Sequence, residues 1–194
     1  MRVLVVGATG TIGSAIVKAL SAHEVIEAAY SHGIRVDISD IESIRQMYQA
    51  AGTIDAVISA AGSTRRKPLR ELTDEDFAYS IAHKLMGQVN LVRYGLGYLA
   101  DGGSFTLTSG ILGREPILGG EAISMVNLGL EGFARAAAME LPRGIRVNVV
   151  SPPWVEETLR ELQMEGFRGL PAATVAQAYV RALTSSMTGE VLEP

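Results

Sequence analysis

The stretch Val3-Leu4-Val5-Val6-Gly7-Ala8-Thr9-Gly10-Thr11-Ile12-Gly13-Ser14 decides the fold. Its four aliphatic residues predict a buried strand, and the Gly-rich turn behind them opens a helix. Gly7 permits the sharp exit from the strand, Gly10 lets backbone N–H groups approach a ligand, and Gly13 allows the helix to pack closely on the sheet. Backbone N–H groups at a helix N-terminus bind phosphate, so the turn, including Thr9, Thr11 and Ile12, predicts a dinucleotide site. The alternative is a turn with a structural role only.

Composition narrows the possible classes of protein. The 194 residues suit one domain with a single core, and 47% hydrophobic with 20% charged residues is ordinary for a globular chain. The net charge of −4 provides no broad basic surface, so nucleic acid is not an expected partner. There is no cysteine, which excludes disulfides and thiolate chemistry.

Neither a membrane segment nor a metal site is expected. No uninterrupted apolar run approaches the roughly 18 residues of a membrane-spanning helix. Met1 leads directly into the first strand without a basic segment or a cleavage site, so we expect a cytoplasmic protein. The three histidines lack the spacing of metal ligands.

Short aliphatic runs alternate with helical stretches, which predicts βα units and a single doubly wound (Rossmann) α/β domain over residues 1–194, with about seven parallel strands flanked by helices. The predicted strands are Arg2–Val6, Glu24–Ala29, Ile34–Asp37, Ala56–Ser59, Ser104–Thr108, Ile145–Val150 and Glu190–Leu192. The predicted helices are Ser14–Ser21, Asp40–Ala51, Asp74–Leu99, Ala122–Glu140 and Thr174–Leu183. Thr73 and Asp76 have the spacing of a helix capping box. The irregular segment Pro152–Pro171 is typical of a short flap over a ligand.

Six landmarks in the right order resemble those of the short-chain dehydrogenase/reductase family over essentially the whole chain. They are the Gly7–Gly13 turn, Asp37-Ile38, Ser59-Ala60-Ala61-Gly62, Thr106-Leu107-Thr108-Ser109-Gly110, Leu130-Glu131-Gly132-Phe133-Ala134-Arg135, and Arg146-Val147-Asn148-Val149-Val150-Ser151-Pro152 with the final Thr188–Leu192. The resemblance implies a nicotinamide cofactor held by the glycine turn. It adds cofactor contacts at Asp37, Ile38, Ala60, Ala61, Gly62, Pro152 and Val155. It also implies that the Ser109 hydroxyl contacts a substrate oxygen, for which a local turn hydrogen bond is the alternative.

The chain departs from the family at its reactive pair. Relatives carry Tyr-x-x-x-Lys on the helix after the serine strand, where the tyrosine donates a proton and the lysine holds the nicotinamide ribose. Ile123 stands at the tyrosine position and Asn127 at the lysine position. Loss of a positioned proton donor costs about 10²–10⁴-fold in rate. Carbonyl reduction therefore requires another proton source.

A second departure compensates for part of the first. Relatives place an asparagine three residues before a glycine on the preceding helix, and here Lys84 occupies that position before Gly87. In the family the two side chains meet beneath the nicotinamide ribose. We therefore expect Lys84 and Asn127 to have exchanged roles, with Lys84 supplying the ammonium. The alternative is a solvated lysine and an ordinary buried amide.

The end of the second strand bears on the choice of cofactor. A carboxylate there would hold the ribose hydroxyls of NAD and repel the extra phosphate of NADP. The sequence has Ala29-Tyr30-Ser31-His32 instead. Ser31 can donate to a phosphate, and His32 or Arg35 can assist, so NADP is predicted in preference to NAD.

Other candidate groups have a plain structural explanation. His83 adjoins Lys84, but consecutive helical residues point about 100° apart, which favours a packing or surface role for it. Glu121, Glu156 and Glu157 could protonate a substrate if they were buried, but acidic loop residues are usually solvated.

Two main functions remain open. One is an NAD(P)(H)-dependent oxidoreductase with an altered catalytic site that includes Ser109, Lys84 and Asn127 and acts on a small carbonyl or alcohol. The other is an NADP(H)-binding sensor or scaffold without dehydrogenase activity, and isomerisation of a bound nucleotide is a weaker third. The resemblance also implies a homodimer or homotetramer built on the helices of Asp74–Leu99 and Ala122–Glu140.

Overall fold

A computed structural model describes all residues, 1–194. Its strands are β1 (Arg2–Val6), β2 (Glu24–Ala29), β3 (Ile34–Arg35), β4 (Ile54–Ser59), β5 (Leu99–Thr108), β6 (Arg146–Val150) and β7 (Val191–Leu192). Its helices are α1 (Thr11–Ala19), α2 (Ile41–Ala51), α3 (Asp74–Ser80), α4 (Gly87–Gly95), α5 (Glu121–Ala137), α6 (Glu156–Glu161) and α7 (Ala172–Thr184). A π-helical segment, Ile81–Met86, joins α3 to α4. No helix is long and apolar enough to span a membrane.

The seven strands form one parallel sheet in the order β3-β2-β1-β4-β5-β6-β7, which confirms the predicted doubly wound fold. The order reverses between β1 and β4, because β1 connects outward to β2 whereas β4 begins the second half. In open α/β sheets, ligands bind at the carboxyl ends of the strands beside such a switch point. The Gly-rich turn after β1 lies at this place.

Each face of the sheet packs against its own layer of helices. Alternate side chains of β1 supply both faces: Leu4 and Val6 enter a core with α2, α4 and α5, whereas Val3 and Val5 enter a core with α1 and α7. This alternation is the two-residue period of a strand covered on both sides.

The predicted helix Asp74–Leu99 is wrong at its C-terminal end and in its regularity. The capping box at Thr73 and Asp76 is present, but α3 ends at Ser80 and the chain continues in π-helical turns. The N–H of Gly87 donates to the carbonyl of Ala82, five residues back. Leu99 already belongs to β5, because Gly97 follows the end of α4 and the Tyr98 N–H turns back to bond the Gly95 carbonyl.

Smaller differences concern element ends and the flap. Helix α1 begins at Thr11 rather than Ser14, so the turn residues themselves form its first turn. Helix α5 ends at Ala137, three residues before the predicted end. The segment predicted as an irregular flap contains α6 and is pinned by the N–H of Leu170, which donates to the Trp154 carbonyl at 2.8 Å.

Gly87 fixes the π-helical segment against the loop that follows β3. A Cβ at this position would lie 2.7 Å from Cδ1 and 2.8 Å from Cγ1 of Ile38, which is buried. The absence of a side chain therefore lets the helix approach Ile38, which also lines a cavity at the carboxyl ends of the strands.

We predict that Gly87→Ala destabilises the protein by about 1–3 kcal/mol through overpacking, although the same change at an unobstructed helical glycine stabilises by about 0.5–1 kcal/mol. Denaturant unfolding measures the change. Gly97→Ala is the control, since nothing lies within 4 Å of a Cβ there. The double variant Gly87→Ala, Ile38→Ala should lose less than the sum of the single losses. Additive losses would contradict the proposed contact.

Candidate functional site

Two cavities form one groove along the carboxyl ends of the central strands. The first, about 460 Å³, is lined by Val6, Gly7, Thr9, Gly10, Ala29, Tyr30, Val36, Asp37, Ile38, Ala60, Ala61, Gly62, Ser63 and His83. The second, about 360 Å³, includes Ile12, Ala60, Ala61, Gly62, Lys84, Ser109, Gly110, Ile123, Asn127, Pro152, Trp154 and Val155. The two share Ala60, Ala61 and Gly62, the turn after β4. The groove thus brings together most of the residues predicted to bind a cofactor.

The glycine turn has the geometry expected for a phosphate cradle. Gly7 has a φ of 84°, and a Cβ there would lie 2.8 Å from the backbone nitrogen of Ala61. A Cβ at Gly13 would lie 1.9 Å from the carbonyl oxygen of Gly7. The Gly10 N–H bonds the same carbonyl at 3.1 Å. The first N–H groups of α1 have no acceptor within the helix, as at any helix N-terminus, and such groups bind phosphate.

Asp37 is held rigidly beside the first cavity. Its carboxylate accepts hydrogen bonds from the N–H and the hydroxyl of Ser39, at 2.9 and 2.7 Å. These bonds, chiefly that from the Ser39 hydroxyl, lower the pKa of Asp37 below its usual range. An ionised, fixed carboxylate is a hydrogen-bond acceptor, as an exocyclic amino group of adenine requires.

The end of β2 and the turn after it, Ala28 to His32, include no acidic residue. Ser31 and His32 are exposed, and His32 lies 3.8 Å from the Glu27 carboxylate. The guanidinium of Arg35 stacks over the Tyr30 ring at 5.3 Å. Neither Ser31 nor His32, both predicted cofactor contacts, is among the residues that line the two cavities.

Lys84 reaches into the second cavity from the π-helical segment. Its Nζ donates to the carbonyl oxygen of Ser109 at 3.0 Å. Burial lowers the pKa of the Lys84 ammonium to about 8. Single π turns inside α-helices are frequent at functional sites, and here the extra residue sets the register of Lys84. The alternative of a solvated lysine is wrong.

Asn127 faces the same cavity from α5. Its Nδ2 donates to the Gly110 carbonyl at 3.2 Å, one residue along from the carbonyl that Lys84 contacts. Its Oδ1 is buried and has no hydrogen-bond partner in the protein. A buried amide oxygen without a donor is costly, and a ribose hydroxyl would satisfy it. The ammonium, the amide and the orphan oxygen therefore fit the ribose of a nicotinamide cofactor.

The Ser109 hydroxyl, expected from the sequence to contact a substrate oxygen, has a partner within the protein. Ser109 is buried and its Oγ donates to the carboxylate of Glu131 at 3.1 Å. Gly110, the next residue in the chain, faces Asn127, because a Cβ at Gly110 would lie 3.2 Å from Asn127 Nδ2. The position opposite Asn127 thus carries no hydroxyl.

His83 lines the first cavity, and the next residue in the chain, Lys84, lines the second. The rings of His83 and Tyr79 stack with 3.9 Å between their centroids. The guanidinium carbon of Arg65 lies 3.8 Å from the centroid of the Tyr79 ring. This stacking agrees with the expected packing role of His83, but the π-helical register also brings its ring to the groove. The periodicity of an ordinary α-helix does not predict that two consecutive residues, His83 and Lys84, both face the groove.

The acidic candidates do not reach the reactive cavity. Glu157 accepts a hydrogen bond from the N–H of Ala172 at 3.0 Å and so caps α7. Backbone hydrogen bonds, from its own N–H first and from Ala172 next, lower the pKa of Glu157. Glu156 is exposed, and neither it nor Glu121 lines either cavity. Two lining residues, Thr64 and Thr158, carried no signal in the sequence, because isolated threonines in loops are common.

Comparison with known proteins agrees with this geometry. Residues 7–191 match a family model described as enoyl-(acyl carrier protein) reductase. A solved protein from Listeria innocua is 46% identical, covers 100% of this chain and 98% of its own, and superposes with a TM-score of 0.96. A small-chain dehydrogenase solved in complex with NADPH is 28% identical over 100% and 96% of the two chains, with a TM-score of 0.88.

A curated relative, a hydroxynaphthalene reductase of Aspergillus fumigatus, is 30% identical over 151 residues. The match covers 73% of this chain and 55% of the relative, so this chain spans little more than half of that protein's length. The family model nonetheless covers almost the entire chain, from the glycine turn to the last strand. Together with the seven-stranded sheet and the groove at its switch point, this match shows that the chain belongs to the short-chain dehydrogenase/reductase family of oxidoreductases.

Proposed function

We propose that the protein is an NADP(H)-dependent oxidoreductase that acts on a small carbonyl or alcohol with an altered catalytic site. The observation that carries this proposal is the pair Lys84 and Asn127, which bind adjacent carbonyls from two helices and leave one amide oxygen without a donor. That arrangement suits a nicotinamide ribose. The resident cofactor would supply the hydride, and the protein's residues would hold it and the substrate.

Different residues along the groove would bind different parts of the cofactor. The glycine turn and the N-terminus of α1 would hold the pyrophosphate, and Asp37 and Ile38 the adenine. Lys84 and Asn127 would hold the nicotinamide ribose. The second cavity must also take the nicotinamide and the substrate, so its volume of about 360 Å³ supports a small substrate. Trp154, Val155 and Thr158 cover it from the flap and would exclude water.

The test of this function combines binding with turnover. We expect calorimetric binding of NADPH, and loss of NADPH absorbance when diacetyl, ethyl acetoacetate or phenanthrenequinone is added. Binding without turnover of any of these probes would favour the sensor or scaffold, for which the replaced reactive positions Ile123 and Asn127 are the supporting observation.

We predict tighter binding of NADPH than of NADH, because the end of β2 lacks a repelling carboxylate and Arg35 lies stacked near it. Arg35→Ala should weaken NADPH binding by about ten- to a hundredfold, the value of a charge-assisted hydrogen bond, and leave NADH binding nearly unchanged. Calorimetry with both cofactors measures the difference. Arg45→Ala is the matched control, since Arg45 stacks on Tyr94 away from the groove. Equal affinity for the two cofactors would remove the argument for NADP.

We predict that Lys84 and Asn127 are interchangeable as a pair. Lys84→Ala should weaken NADPH binding by about ten- to a hundredfold. Binding of an adenosine bisphosphate, which lacks the nicotinamide ribose, should hardly change. The double variant Lys84→Asn, Asn127→Lys should bind NADPH better than either single variant. Unchanged NADPH affinity in Lys84→Ala would show that the ammonium does not contact the cofactor.

We also propose self-association through α4 and α5. Met125 and Leu128 lie one turn apart on α5 and are 41% and 47% exposed, and no atom lies within 4 Å of a Cβ at Gly132 on the next turn. Sedimentation should therefore show a dimer or tetramer at micromolar concentration, and Leu128→Asp should lower its association. Leu162→Asp, on the flap, is the control. A 20.6 kDa monomer in the unaltered protein would contradict the proposal.

A further inference from the structure

The second cavity contains one titratable side chain. Of the 18 residues that line it, Lys84 alone can exchange a proton near neutral pH; the others are aliphatic, glycine, proline, threonine, serine, asparagine and tryptophan. The family tyrosine is replaced by Ile123, and the Ser109 hydroxyl is bonded to Glu131. Lys84 is therefore the one side chain around a substrate bound beside Ile123 that can donate a proton near neutral pH.

The placement of Lys84 suits proton donation. Its Nζ donates one hydrogen bond, to the Ser109 carbonyl at 3.0 Å, and an ammonium has two further protons. The neighbouring titratable groups are His83 on the same segment, Asp37 and Arg65 on the adenosine side of the groove, and Glu131 of α5, which reaches Ser109. None of them forms an ion pair with Lys84. The ammonium is thus held by a neutral carbonyl and remains free to give up a proton.

We propose that Lys84 is the general acid of the reaction and takes over the task of the missing tyrosine; this inference rests on the proposed oxidoreductase function. The reduced nicotinamide, when bound, would supply a hydride to the carbonyl carbon of the substrate. The carbonyl oxygen gains the electron pair of its π bond and takes a proton from Lys84 Nζ. The products are the alcohol, the oxidised cofactor and a neutral amine, which regains a proton from water. Burial lowers the pKa of Lys84 to about 8, within the range that general acids use.

The first measurement needs no turnover. The chain has three lysines, Lys18, Lys67 and Lys84, so isotope-labelled side-chain nitrogens give few NMR signals. Lys84 should lose its proton at a pH near 8, and the exposed Lys18 and the Asp76-paired Lys67 supply the reference signals. Lys84→Met identifies the signal. A Lys84 signal that titrates together with that of Lys18 would overturn the proposal.

The second measurement separates proton donation from cofactor binding. Lys84→Arg keeps the charge and the donors but cannot release a proton near neutrality. We expect its NADPH affinity to change by a few fold and its kcat with the carbonyl probes to fall by about 10²-fold or more. The kcat of the unaltered enzyme should fall above pH about 8, and this fall should be absent in the variant. Lys18→Arg is the control.

Chemical rescue completes the test. Methylammonium should restore part of the kcat of Lys84→Ala, whereas tetramethylammonium, a cation without a transferable proton, should not. Full kcat and an unaltered pH profile in Lys84→Arg, or equal rescue by the two cations, would overturn the acid role and leave the oxidoreductase function standing. NADPH binding without oxidation in the unaltered enzyme would instead overturn the proposed function, and the acid role with it.

Discussion

The contact between Gly13 and the carbonyl of Gly7 determines how the rest of the site is arranged. Because a Cβ at Gly13 would lie 1.9 Å from that oxygen, α1 can approach β1 only without a side chain. This close approach directs the helix N-terminus at the groove and places Ile12 beside the second cavity. The turn after β4 imposes a similar limit on Gly7, because a Cβ there would lie 2.8 Å from the backbone nitrogen of Ala61. These two glycine contacts align both halves of the sheet around the ligand groove.

The π-helical segment positions Lys84 in the second cavity, and burial of this ammonium lowers the stability of the fold. Burial lowers the pKa of Lys84 from 10.5 to about 8. Between these values the unfolded chain binds the proton more tightly than the folded chain, so the free energy of unfolding rises with pH over that window. Below pH 8 the buried ammonium destabilises the fold. A cation retained at such a cost, beside an amide oxygen without a donor, indicates a site organised for a ligand rather than for stability.

The sequence predicted the sheet, the glycine turn and the facing pair Lys84 and Asn127, because these depend on local patterns and on the spacing of known landmarks. It could not predict the π turns. The apolar period of Asp74–Leu99 suits a continuous helix, and the close packing of Gly87 on Ile38 accompanies the change of register. The hydrogen-bond partner of Ser109 was equally hidden, because a motif identified by residue type alone does not show that the hydroxyl donates to Glu131.

The partner of Ser109 explains why its hydroxyl is not free. Glu131 is 1% exposed, and a buried carboxylate must be compensated by hydrogen bonds and charge. Ser109 supplies the hydrogen bond, while Arg114 and Arg135 lie 3.7 and 3.5 Å from the carboxylate oxygens. Turning the hydroxyl toward a substrate would leave the carboxylate without that donor. The carbonyl of the same residue fixes Lys84, so Ser109 supports the site through its backbone while its side chain stabilises the core of α5.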